Sequence, residues 1–218
     1  MRIELVIFDC DGVLVDSEPL AAEAMALVYS RHGMAVKPEN IAAGVGMKQT
    51  DILSLIGRNT GHYLPEKALP ELWPETRRLF GERLKPTCGL SDFLSRLDRK
   101  SCVASSSSME RIAYSLSVTG LDRFFGDAFF SSSMVARGKP APDLFLHAAE
   151  RMSVDPSRCL VIEDSPYGVK GAKAAGMRVF GFTGGTHADE AMIERLAAAG
   201  PAAIYQSWRE VEDALAQL

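Results

Sequence analysis

The sequence predicts an α/β protein: a doubly wound, mostly parallel sheet that carries a small all-helical insertion after its first strand. Three observations lead there. Short, nearly continuous apolar runs recur along the chain, as expected of parallel strands covered on both faces. Longer segments with apolar residues at i, i+3, i+4 and i+7 separate them, the rhythm of alternating strands and helices. Between the first and second runs, from Asp16 to Leu84, helical patterns persist without a convincing strand.

In chain order, residues 3–8 form the first and most apolar strand, ending at Asp9. A helix with the stripe Leu20, Ala24, Leu27 and Val28 follows, with Asp16 or Ser17 as its N-cap. Gly44, Gly46, Gly57, Gly61, Pro65, Pro70 and Pro74 then divide the insertion into shorter helices. Leu90, Phe93, Leu94 and Leu97 mark a helix before the strand at 102–104. Met109, Ile112, Ala113 and Leu116 mark the next, before a strand at 128–130. Phe145, Ala148, Ala149 and Met152 repeat the stripe, with Pro142 in its first turn, ahead of the strand at 159–162. The helix through Val169 and Ala172 stops at Gly176, a C′ residue, and a strand at 178–182 follows. A strand at 202–205 and a helix through Trp208, Val211, Leu215 and Leu218 close the chain. The expected division is a core of residues 1–15 and 85–218 with a helical cap of residues 16–84.

Composition narrows the classes of function. With 47% hydrophobic and 24% charged residues, 218 residues are enough to bury a sizeable core. A net charge of −4 leaves no basic footprint for nucleic acid, and no run is long enough to cross a bilayer. The apolar run at 3–8 is too short for a signal peptide, so a cytoplasmic protein is expected. Cys10, Cys88, Cys102 and Cys159 form no CxxC pair; Cys102 and Cys159 read as buried free thiols. A monomer is the simplest expectation, with a dimer left open.

Four features with chemical potential fall at expected strand ends, the edge where open α/β sheets bind ligands. Asp9-Cys10-Asp11-Gly12 closes the first strand, and strand alternation puts Asp9 and Asp11 on one side. Paired carboxylates repel, so a cation or hydrogen-bond network should offset them; the plain alternative is an acidic turn. Ser105 to Ser107 follow the second strand, either as phosphate donors or as ordinary helix capping. Lys139 stands between Gly138 and the rigid Pro140-Ala141-Pro142, as a cation for a phosphoryl oxygen or aspartate, or as a surface lysine. Glu163-Asp164 end the strand at 159–162, as Mg²⁺ ligands or as the cap of the helix after Pro166. The four are complementary in chemistry: nucleophile, phosphate donors, cation and metal acids.

As a set they resemble the haloacid dehalogenase superfamily of phosphohydrolases. Asp9 to Gly12 match its first motif within Asp9-Cys10-Asp11-Gly12-Val13-Leu14-Val15-Asp16-Ser17-Glu18; Ser105 matches the second, Lys139 the third and Glu163-Asp164 the fourth. The insertion is similar to the cap of the subfamily holding phosphoglycolate phosphatase, sugar-phosphate phosphatases and β-phosphoglucomutase. The resemblance implies a Rossmann-like core and hydrolysis of a small phosphorylated metabolite through an aspartyl-phosphate on Asp9. Asp11 would be the acid/base group. Mg²⁺ would be held by Asp9, the Asp11 carbonyl and Asp164, with Glu163 close by or linked through water. Gly12, Ser105, Ser106 and Lys139 would bind phosphate.

Related chemistries separate residue by residue. Dehalogenases and phosphonate-cleaving relatives lack the second aspartate, which is present here as Asp11. The mutase needs a cap histidine and a cap arginine, where this chain aligns Ala21 and Gln49, so hydrolysis is favoured over mutase activity. A silent phosphometabolite-binding protein is disfavoured because the motif set is complete. Lys48, Gln49 and Thr50, after Gly44-Val45-Gly46, are candidates for reading the substrate; otherwise they are a helix start in solvent.

Overall fold

The computed structural model describes residues 2–42, 44 and 49–218. Six strands form one sheet: β1 (Leu5–Phe8), β2 (Lys100–Ser105), β3 (Phe129–Ser131), β4 (Cys159–Glu163), β5 (Arg178–Phe182) and β6 (Ala203–Tyr205). Their order is β3-β2-β1-β4-β5-β6 and every pairing is parallel. The chain winds outward from β1 in one direction through β2 and β3, then returns to β1's other side for β4 to β6. This reversal makes the carboxyl end of β1 the switch point at which ligands bind. Phe8 pairs with Val103 on β2 and with Ile162 on β4, so Asp9, Ser105 and Glu163 emerge close together at one edge.

All four residues of β1 are buried, and their alternation feeds two cores. Val6 and Phe8 face α5 (Leu90–Arg96), α6 (Met109–Val118), α7 (Asp122–Phe125) and α11 (Trp208–Leu215). Leu5 and Ile7 face α8 (Asp143–Arg151), α9 (Pro166–Ala174) and α10 (Glu190–Ala198). A strand buried on both sides cannot alternate apolar with polar, which is why residues 3–8 read as one continuous apolar run. Trp208 stacks between Phe182 and Phe93, with ring centroids 4.4 and 5.0 Å away. Its indole donates to Thr87 Oγ1 at 2.8 Å, and Thr87 in turn donates to the Val13 carbonyl at 2.7 Å. The aromatic core thus fastens the loop that follows β1.

Helices α1 (Glu18–Arg31), α2 (Pro38–Ala42), α3 (Gln49–Thr60) and α4 (Leu72–Arg83), with a 3₁₀ segment at Glu66–Glu71, fill the insertion. They build a third cluster of their own, including Met25, Val28, Tyr29, Ile56 and Leu72. The six strands fall where the sequence puts them, with small differences at the ends, but two stripe residues face solvent: Leu27, where α1 buries Met25 and Tyr29 instead, and Ala113, where α6 buries Ser115. Ser17 occupies the N-cap position of α1 but makes no cap hydrogen bond: its backbone is helical (φ −88°, ψ −25°) rather than extended, and its hydroxyl donates to Asp11. Pro142 stands at the N-cap of α8, one residue ahead of the helix. Gly176 takes φ +74°, the left-handed conformation expected of a residue just past a helix end.

Candidate active site

Asp9, Ser105 and Glu163-Asp164 stand at the ends of β1, β2 and β4, whereas Lys139 lies beyond the expected strand end, in the loop between β3 and α8. Asp9 continues the β1 ladder, its amide donating to the Ile162 carbonyl at 3.0 Å. Cys10 points into the core while Asp9 and Asp11 both face a cavity, the alternation expected of a strand end. Gly12 has φ +77°, and a Cβ there would collide with the Asp164 carboxylate and the His187 ring. Glycine is therefore required for the first loop to approach the end of β4.

Lys139 is the hub of the buried half of the site. Its Nζ lies 2.6 Å from Asp9 Oδ1, makes a second ion pair with Glu163 Oε1, and sits over the Phe145 ring. The other Glu163 oxygen accepts from the Ser165 amide at 3.0 Å and hydroxyl at 2.9 Å. Ser165, rather than either acid, caps α9, accepting from the Gly168 amide. Asp164 Oδ2 lies 3.0 Å from His187 Nε2.

Asp11 is held differently. Its Oδ1 accepts from Ser17 Oγ at 2.6 Å and Arg111 Nη2 at 2.8 Å, and its Oδ2 accepts from Ser107 Oγ at 2.5 Å. The serine loop after β2 is braced from β3: the Ser131 hydroxyl donates to the Ser107 carbonyl at 2.6 Å, and Ser132 to the Ser106 carbonyl at 3.0 Å. Ser105 is buried and accepts from the Ser107 amide.

The charges explain the titration of the cluster. Burial raises Asp9 well above the usual carboxylate range; Lys139 opposes this, while Glu163 and Asp164 push it further up. Burial likewise raises Glu163 against the pull of Lys139. For Lys139, burial favours the neutral form, but Asp9 and Glu163 outweigh it and keep the ammonium charged. Burial would also raise Asp11, yet Arg111 and the two hydroxyl bonds overcome it and hold the carboxylate ionised. The oxygens of Asp9, Glu163 and Asp164 approach within 4.8 Å of one another, a group suited in size and chemistry to a metal ion. Three carboxylates around one lysine leave surplus negative charge, which a hard cation would neutralise.

The cavity above these groups has a volume of about 690 Å³ and is walled by the strand-end loops below and by α1 to α4 above. Of the residues singled out from sequence, Asp9, Asp11, Gln49, Thr50, Ser105, Ser106, Lys139 and Asp164 line it. Glu163 lies fully buried behind Lys139, and Gly12 is buried against Asp164 and His187 without lining the cavity. Lys48 falls outside the described residues. Ser17, Glu18, Arg111 and His187 were not legible as site residues. Arg111 sits in the first turn of α6, three residues beyond the Ser108 cap, and His187 in the loop after β5. The rule that ligands gather beyond strand ends covers both loops and was the available signal.

Comparison with known proteins agrees with this geometry. A family model described as haloacid dehalogenase-like hydrolase matches residues 3–176. The chain is 32% identical over 188 residues to the 6-phosphogluconate phosphatase of Escherichia coli (strain K12), covering 85% of each protein. It is 31% identical over 174 residues to fructose-1-phosphate phosphatase YqaB of the same organism, covering 79% of this chain and 92% of the relative. A crystal structure of a haloacid dehalogenase-like protein of unknown function from Agrobacterium tumefaciens str. C58 superposes with a TM-score of 0.87 at 34% identity, covering 99% of this chain and 98% of the other. With motif geometry, family match and relatives in agreement, the chain belongs to the haloacid dehalogenase-like hydrolases and is a phosphoric monoester hydrolase.

Proposed function

We propose that this protein is a Mg²⁺-dependent phosphatase of a small phosphorylated metabolite, of sugar-phosphate or sugar-acid-phosphate type, acting through an aspartyl-phosphate on Asp9. The observation that carries the reading is the placement of Asp9: buried, fixed at Oδ1 by Lys139, and open to a cavity that Asp11, Asp164, the serine loop and the insertion also line. Residues 16–84 act in this reading as a cap over a core of residues 1–15 and 85–218. A cavity of this size suits a sugar phosphate, being within the usual range of roughly 300–1,000 Å³ for small-molecule sites.

Asp9 would attack phosphorus and displace the alcohol, replacing one difficult displacement with two easier ones. The obstacle is charge, since two unit charges 4 Å apart repel by about 4 kcal/mol at an effective dielectric of 20. Lys139 offsets part of it. The residues that would hold Mg²⁺ are Asp9, Asp164 and the Asp11 main-chain carbonyl, with Glu163 behind them, and the cation would supply further neutralisation of the phosphoryl oxygens. Ser105, the Ser106 amide and the loop at Gly12 would bind the remaining oxygens.

Asp11 would protonate the leaving alcohol and then take the proton of the attacking water. The ionised state that Arg111, Ser107 and Ser17 give it here is the one needed for the second task. For the first it must carry a proton of its own, which the three donors oppose, so at least one of them has to let go as the carboxyl is protonated and turned to the leaving oxygen. Ala21 and Gln49 both line the cavity and offer neither an imidazole nor a guanidinium, which favours hydrolysis over phosphoryl return to a sugar.

Assay of p-nitrophenyl phosphate with Mg²⁺ and with a chelator tests the reading. Turnover should require Mg²⁺, and Asp9→Asn should lower kcat by about 10⁴-fold or more. A folded wild-type protein without turnover at millimolar substrate would sink the proposal. Near-normal kcat in Asp9→Asn would remove the nucleophile assignment.

A further inference from the structure

Among the described residues Arg111 is the one charged donor to Asp11, and the sheet edge and the insertion hold it in place together. It enters from the first turn of α6, where Ser108 accepts its main-chain amide at 3.3 Å. The guanidinium lies over the ring of Phe80 on α4, 5.1 Å from the centroid, and its Nη2 reaches Asp11 Oδ1 at 2.8 Å. Its Nε is buried without a hydrogen-bond partner among the described residues. The seam between α4 and α6 is tight beyond this contact. Trp73 packs edge-on against Tyr114 with centroids 6.0 Å apart, Arg77 lies 4.7 Å over the Tyr114 ring, and Arg77 pairs with Glu110 at 3.5 Å. Arg111 therefore cannot swing freely; packing on the insertion sets its direction.

The other two donors are neutral hydroxyls, which rotate and can accept as well as donate. A guanidinium presents fixed N–H directions and no acceptor, so its Nη2 bond holds Asp11 Oδ1 from a set direction, which a rotating hydroxyl does not impose. We propose that Arg111 is a positioning residue for the reaction: it aims the Asp11 carboxyl at the leaving-group oxygen, from a place set by Phe80 and the α4–α6 seam. This rests on the phosphatase reading, with Asp11 as the acid. It assigns Arg111 a role in leaving-group protonation rather than in binding phosphate.

Proton donation matters most when the leaving group is a poor one. A series of aryl phosphates with leaving phenols of graded acidity isolates this effect, and kcat/KM confines it to the first chemical step. Arg111→Met should lower kcat/KM by about 100-fold for the least acidic phenol and only a few-fold for p-nitrophenol, steepening the leaving-group dependence. Arg111→Lys, which keeps a charge without the fork, should fall between. Added guanidinium ion should partly restore Arg111→Ala on poor leaving groups and not on good ones. Thermal unfolding identifies any variant that fails to fold, and Arg111→Gln then replaces it in the series. Parallel losses across the series, or an unchanged slope, would overturn the positioning role while leaving the phosphatase reading intact. A wild type inert toward every member would overturn both.

Discussion

Asp9 and Asp11 are two residues apart and live in opposite electrostatic environments. Burial among Glu163 and Asp164 drives Asp9 up despite Lys139, whereas Arg111, Ser107 and Ser17 more than offset the burial of Asp11. These directions are the reverse of those a nucleophile and a general acid need, so the proposed role of Asp9 calls for a cation at the cluster to bring its carboxyl back down. The cysteines show the same control at single residues. Burial raises Cys10 and Cys102, and pushes Cys159 up to about 11, so these thiols are poor nucleophiles near neutral pH. Cys88 is exposed. A thiol-reactive disulfide reagent should therefore modify Cys88 rapidly in the native protein and the other three only after denaturation; fast native modification at Cys10 would contradict the packing.

At the scale of the element, α4 shows how the insertion is tied together by charge as well as by apolar contact. Glu75 is buried on α4, where Arg78 donates to it at 3.0 Å through Nε and Arg31 of α1 pairs with its other oxygen. Burial raises this carboxyl, but the hydrogen bonds from Arg78 and Arg31 outweigh it, and the net shift is downward. A depressed carboxylate stabilises the fold above its ordinary value of 4.5, and that contribution is lost as pH falls through the lower folded value. Glu75→Gln should cost about 2 kcal/mol at neutral pH, since both arginines are half exposed and can rehydrate. The loss should shrink as pH falls from 4.5, where the unfolded chain's carboxyl takes up its proton, through the lower folded value, where the native carboxyl is neutralised as well; denaturant unfolding of the pair across pH measures this.

For the molecule as a whole, the cluster at the switch point is a local store of unfavourable charge that the fold tolerates. A cation that binds only the folded state should repay it, with stabilisation of about 2.7 kcal/mol at 100 times its Kd. Mg²⁺ should raise the thermal midpoint of the wild type, and Asp164→Asn should abolish most of that rise. An equal rise in both would place the ion elsewhere. Among the described residues, no helix is long and apolar enough to cross a membrane.

The sequence by itself determined the sheet, because strands buried on both faces must be apolar throughout, and it determined where Asp9, Ser105 and Glu163-Asp164 emerge, because strand ends fix them; Lys139 comes from the loop between β3 and α8, and its ion pairs with Asp9 and Glu163 are tertiary. It also showed a helical insertion, since Gly and Pro punctuate it and no strand pattern occurs there. Only the tertiary structure decided which groups surround Asp11 and Asp164. Arg111 and His187 read as ordinary loop and helix residues, and Ser17 as a cap, because hydrogen bonds from Ser17 and Arg111 to Asp11 span six and one hundred residues and leave no local period. The reversal of strand order about β1 brings α6 and the β5 loop to the same edge, and packing of α4 against α6 aims the guanidinium. Periodicity records which side of an element is buried; it carries no information about which polar side chains meet across that edge.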